Sequence, residues 1–87
     1  MRKLYIHMND SMHPDPEILY KIVTEEMPFG RYRGTVISNL PVSYLEWFSR
    51  QGFPEGKIGM MLSTIYEIKI NGLEYILDPI KAAVKMR

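Results

Sequence analysis

No cysteine occurs in these 87 residues, which excludes a disulfide framework, a thiolate nucleophile and cysteine-ligated zinc. No apolar run approaches the ~18–20 residues that span a bilayer, so no transmembrane helix is expected. The opening residues, Met1-Arg2-Lys3-Leu4-Tyr5-Ile6-His7, carry a charged head with no apolar stretch behind it, unlike a secretory signal. Internal repeats, linkers and low-complexity tracts are also missing. Acids are absent from Met27 to Leu45, although ten Asp and Glu occur elsewhere. These gaps leave a bacterial-type cytoplasmic domain, with no cofactor and no membrane partner expected.

What is present describes one small folded unit. The apolar share is 46% and the charged share 24%, the balance of an ordinary globular domain with a modest core. A single domain over 1–87 is expected. The net charge of +1 is too small to select a partner by bulk electrostatics. Its distribution says more: residues 1–26 sum to −2 and residues 27–87 to +3.

Leu4, Ile6 and Met8 alternate with polar or amphipathic neighbours, the period of a half-buried strand, and a turn-rich loop follows to residue 15. Asp15-Pro16-Glu17 supplies an N-cap, a proline for the first helical position and an acid for the first turn. A first helix is predicted near 16–26, ended by Pro28. Gly30, Gly34 and the β-branched run Thr35-Val36-Ile37 suggest two short extended pieces around a turn. Pro41 opens a second helix with Tyr44, Leu45 and Phe48 on one face. Gly52 and Gly72 are each followed by an apolar residue, Phe53 and Leu73, as in a Schellman helix end. Between them Ile58, Met61, Leu62 and Ile65 mark a third helix reaching about Asn71, and Asp78-Pro79 caps a last one. The expected class is α+β: mainly helical, three to four helices, with a short two- or three-stranded antiparallel sheet.

The run "MPFGRYRG", residues 27–34, is the main candidate site. Two glycines four apart bracket Arg31-Tyr32-Arg33, so a turn can hold both guanidinium groups outward with an aromatic between them. Phosphates suit such planar donors and bases stack on tyrosine. Arg50 and Lys57 extend the patch if the Gly52–Gly56 loop lies near. The plainer alternative is a β-turn with solvated arginines, built on a buried Phe29. The glycine spacing has neither the third glycine of a dinucleotide fingerprint nor the Gly-Lys-Ser/Thr ending of a phosphate loop.

Trp47, with Tyr44 and Phe48, reads as core packing; a stacking or peptide-binding platform is the alternative. His7 and His13, with Asp10 and Asp15, form the only group with metal-ligand chemistry. They sit in a proline-rich loop without the spacing of zinc sites, so no metal is expected. Glu25 and Glu26 are adjacent on a helix end and diverge. No catalytic constellation emerges, and an enzyme is not expected.

Taken in order, "MPFGRYRG", "LPVSYLEWF", "GFPEGKIG" and "EIKINGLEYIL" resemble the small bacterial and phage family filed as "putative quorum-sensing-regulated virulence factor". Its hallmarks are Met-Pro-Phe-Gly-Lys-Tyr-Lys-Gly, Leu-Pro-x-x-Tyr-Leu-x-Trp and Glu-Ile-Lys-x-Asn-Gly-Leu. The resemblance covers about residues 18–77. Here Arg31 and Arg33 replace the two lysines and keep both charges. The proline-leucine that often follows the second glycine is replaced by Thr35-Val36-Ile37. The same core occurs appended to DnaQ-like exonucleases, so the resemblance implies a nucleic-acid association and no defined chemistry. Two functions are therefore carried. One is a nucleic-acid-associated accessory module using Arg31, Tyr32 and Arg33. The other is a protein-interaction module or homodimer presenting Met60, Met61, Tyr66 and the last helix.

Overall fold

Asp15 caps the first helix as its side chain predicts: its carboxylate accepts the Glu17 N–H at 2.9 Å, and Pro16 takes the first helical position. The computed structural model describes residues 15–86. Within them lie α1 (Pro16–Thr24), a 3₁₀ turn (Ile37–Asn39), α2 (Val42–Gln51), α3 (Lys57–Ile70), a second 3₁₀ turn (Glu74–Leu77) and α4 (Asp78–Lys85). No helix of the described residues is long and apolar enough to cross a membrane.

The central element is α3. It carries buried Met61, Leu62, Ile65 and Ile68 and packs against α1, α2 and the first 3₁₀ turn. From α1 come Ile18 and Ile22, one helical turn apart; from α2 come Leu45 and Phe48. Met27, Ile37, Leu40 and Leu77 complete the interior from the connections between helices. The amphipathic α4 lies on α1 with Ile80 packed against the core and no residue fully buried.

The expected α+β class is corrected to a helical one. Among the described residues there is no sheet, only an isolated antiparallel bridge between Glu26 and Val36. The physical reason lies just beyond the bridge. Ile37 and Leu40 are both drawn fully into the core, and the chain turns into a 3₁₀ helix there. No length remains for a ladder, and so short a pairing has no independent stability. The β-branched run measured burial, which strands and core-directed turns both require. The strand expected at Leu4, Ile6 and Met8 lies outside the described residues.

Helix ends divide the glycine predictions. At Gly72, φ is 68°, Leu73 N–H reaches the Ile68 carbonyl at 2.9 Å, and Gly72 N–H reaches the Lys69 carbonyl at 3.2 Å. That is the Schellman pair of bonds. Gly52 differs. Its φ of 107° is positive, but its ψ of 127° takes it out of the left-handed helical region, and its N–H alone bonds back to Phe48. Pro54 restricts Phe53, the residue before it, towards extended backbone; nothing in the structure accounts for the ψ of Gly52 itself. The chain leaves α2 without curling under it, and Phe53 stacks on Phe48 at a centroid distance of 6.4 Å. Asp78 is likewise not a cap. It has helical φ and ψ and is the first residue of α4, which the preceding 3₁₀ turn feeds directly.

Candidate functional site

The segment 27–34 is a closed loop, tied at its base and folded at its tip. Met27 N–H donates to the Thr35 carbonyl at 2.8 Å, and Gly34 N–H donates to the Met27 carbonyl at 2.9 Å. Ile37 N–H to the Glu25 carbonyl, 2.9 Å, secures the next pair outward. At the tip, Arg33 N–H reaches back to the Gly30 carbonyl at 3.2 Å, so Gly30 to Arg33 form one tight turn. Both bracketing glycines have positive φ, 79° at Gly30 and 90° at Gly34. Gly30 is fixed by space as well as by backbone. A Cβ there would lie 3.2 Å from the Tyr44 hydroxyl oxygen.

The apolar anchor of this loop is Met27, 1% exposed. Phe29, expected to be buried, is 41% exposed and stands outside the core. Backbone bonds already hold the loop, Met27 enters the core, and Tyr32 packs against it from the tip. Sequence reading missed this role because a methionine before a proline reads as the end of a helix.

The turn delivers Tyr32 onto α2. Its ring lies 4.6 Å from that of Tyr44, which meets Phe48 edge-on at 5.1 Å. Trp47 packs edge-on against Phe48 at 5.1 Å. Phe48 is thus the buried foot of an aromatic cluster whose upper members reach solvent. Trp47, expected in the core, is 50% exposed. The helical register accounts for this: Ser43, Trp47 and Arg50 fall at i, i+4 and i+7, one stripe of α2 opposite buried Leu45 and Phe48. The polar partners of that stripe were the available signal that Trp47 faces outward.

Arg31, Tyr32, Ser43, Tyr44 and Trp47 line an open cleft of about 340 Å³. The Arg31 guanidinium carbon lies 5.6 Å from the Tyr32 ring centroid, within cation–π range. Neither Arg31 nor Arg33 joins an ion pair among the described residues. No acid lines the cleft. Burial, and then the neighbouring Tyr32, push the Tyr44 phenol above its ordinary pKa, so it stays protonated as a neutral wall.

Other predicted members are placed differently. Arg33 is exposed on the turn, and Arg50 on α2 pairs with Glu46 at 3.5 Å; neither lines the cleft. Lys57 opens α3 and is also outside the lining. His7 and His13 lie outside the described residues, and Asp15 is occupied as a helix cap. The residues named for a protein-interaction surface, Met60, Met61 and Tyr66 with the last helix, are placed as follows. Met61 is a core residue, Tyr66 packs beside Phe53, and only Met60 stays well exposed.

The family model described as "Putative quorum-sensing-regulated virulence factor" matches residues 15–80. "Uncharacterized protein YpeB" of Escherichia coli strain K12 is 40% identical over 68 residues, covering 77% of this chain and 94% of that protein. The protein of the same name in Escherichia coli O157:H7 matches with the same identity and coverage. No solved structure matches the chain. The match takes in the closed loop, the aromatic cluster and all of the helical core.

Proposed function

We propose that this chain, which belongs to the family described as "Putative quorum-sensing-regulated virulence factor", is a nucleic-acid-associated accessory module. Arg31 and Arg33 contact phosphates from a turn that the backbone holds fixed, and Tyr32 supports that turn from below. The observation that carries this reading is the acid-free cleft, in which an arginine lies over a tyrosine beside a half-exposed tryptophan. Phosphates favour guanidinium donors, and exposed aromatic faces accept bases of any sequence. A free arginine pair with no local carboxylate is also the cheapest arrangement to bring against a polyanion, since no existing ion pair has to break.

The test is fluorescence anisotropy with a labelled oligonucleotide across a salt series. Binding is expected at about micromolar strength or weaker, in the range of sequence-independent contacts. If two arginines neutralise two phosphates, log affinity falls against log salt with a slope of about −1.4 on a single strand. Arg31→Ala with Arg33→Ala should flatten that slope. Absence of binding at low salt, or binding that the double variant leaves unchanged, refutes the reading.

A further inference from the structure

We infer that the cleft between the turn and α2 takes one unpaired base of a single strand, with Trp47 as its stacking face. This rests on the nucleic-acid reading and names its ligand class. The lining residues divide by chemistry. Trp47 and Tyr32 offer aromatic surface, Arg31 offers charge at one side, and Ser43 offers a hydroxyl. The tyrosines and the tryptophan are fixed through Phe48 to the core, so the faces are set before a ligand arrives. Preorganised faces reduce the ordering that binding requires.

The shape speaks against a duplex. The cleft is open and presents aromatic faces on which a single base can stack, whereas stacked base pairs keep their faces covered. Readers of the major groove project a helix or a strand pair into it. Here α2 is embedded on its Leu45–Phe48 side and presents an indole at the cleft. Arg50 stands one turn beyond Trp47 on the same stripe, held to Glu46 by an exposed ion pair of the kind that contributes little. Arg31 at the cleft and Arg50 one turn beyond Trp47 on α2 offer a strand that crosses the indole two cationic contacts.

Trp47 is the only tryptophan in the chain, so its emission reports on the cleft directly. The intact protein is titrated with an oligothymidine and with a hairpin duplex that has no free ends, following both emission and anisotropy of a labelled strand. Expected are quenching of Trp47 by the single strand and clearly weaker binding of the hairpin. Trp47→Ala should weaken single-strand binding between about fivefold and about 150-fold, as removal of one stacked base does. Trp47→Phe should recover part of it. Salt-dependent anisotropy that is equal for strand and hairpin, with Trp47 emission unmoved, overturns this inference and leaves the module reading standing. Absence of binding to either nucleic acid by anisotropy removes both. Trp47 emission that responds to a proline-rich peptide and not to the oligothymidine also overturns it, in favour of a peptide groove.

Discussion

Replacing Gly59 by alanine tests how the α2–α3 connection is held. In an exposed helix interior Gly→Ala normally adds about 1 kcal/mol of stability through helix propensity. Gly59 is different. It lies in the first turn of α3, is buried, and faces the backbone of Pro54. A Cβ at this position would overlap the Pro54 carbonyl oxygen outright and sit 2.7 Å from the carbonyl carbon. Non-bonded heavy atoms pack at about 3.5–4.0 Å, and the oxygen overlaps more deeply than the carbon, so the loop would have to move by well over an ångström. The obstacle is backbone and cannot rotate away as a side-chain tip would. Overpacking costs typically about 1–3 kcal/mol, and an overlap this deep with backbone stands at the upper end, about 2–3 kcal/mol; less the propensity gain of about 1 kcal/mol, a net loss of about 1–2 kcal/mol remains. For a domain of this size each kcal/mol shifts Tm by about 4–8 °C, giving a drop of roughly 4–16 °C. Circular dichroism melts of parent and Gly59→Ala decide the matter. A variant that melts at or above the parent would show that Pro54 does not pack on α3, and the account of this connection would fail.

Three further outcomes follow from the site. The Arg31→Gln, Arg33→Gln variant should melt within about 0.5 kcal/mol of the parent, because both side chains are exposed and outside any ion pair among the described residues; a large loss would make them structural. Met27→Ala should lose about 2–5 kcal/mol, and Phe29→Ala only about 1–2, since Met27 is buried and Phe29 is 41% exposed; urea denaturation ranks the two, and the reverse order would refute the assignment of the anchor. The Tyr44 phenol has its pKa raised above 10.0 by burial and then by Tyr32. The unfolded chain therefore loses this proton first, so the stability it contributes is complete below pH 10 and disappears as pH rises through the folded pKa. Alkaline melts should show a steeper decline for the parent than for Tyr44→Phe; identical profiles would refute that.

Helices were legible because their signals are local. Asp15-Pro16-Glu17 caps α1 through neighbours in the chain, and Gly72-Leu73 closes α3 through bonds to Ile68 and Lys69. The sheet was misread because Thr35-Val36-Ile37 has strand composition while its fate depends on α3, which Ile37 meets only in three dimensions. At Gly52 the apolar residue that suggested a Schellman end, Phe53, stacks on Phe48, and only the Gly52 N–H bonds back to the helix. In the site, Arg31 and Tyr32 were readable from their bracketing glycines. Trp47 was misread because its aromatic neighbours suggested core packing, although Ser43 and Arg50 on its stripe marked an outward face.

That side carries the functional argument. The core is closed by aliphatic residues, with Ile22, Leu45, Leu62 and Ile65 each fully buried. Phe48 lies beneath the aromatic cluster, and the rings above it are left to form a wall. A half-exposed indole forgoes much of the burial that makes tryptophan stabilising. A small domain with a modest core gains little from leaving its largest side chain there for stability alone. The loop that brings Arg31 over Tyr32 lies within the acid-free window from Met27 to Leu45, and Trp47 stands two residues beyond it. Exposed aromatic surface, a fixed guanidinium and absent carboxylates each have a separate explanation as features of an ordinary surface. Their convergence on one cleft has a common explanation in a flat, anionic ligand, and Trp47 is the residue on which that explanation stands or falls.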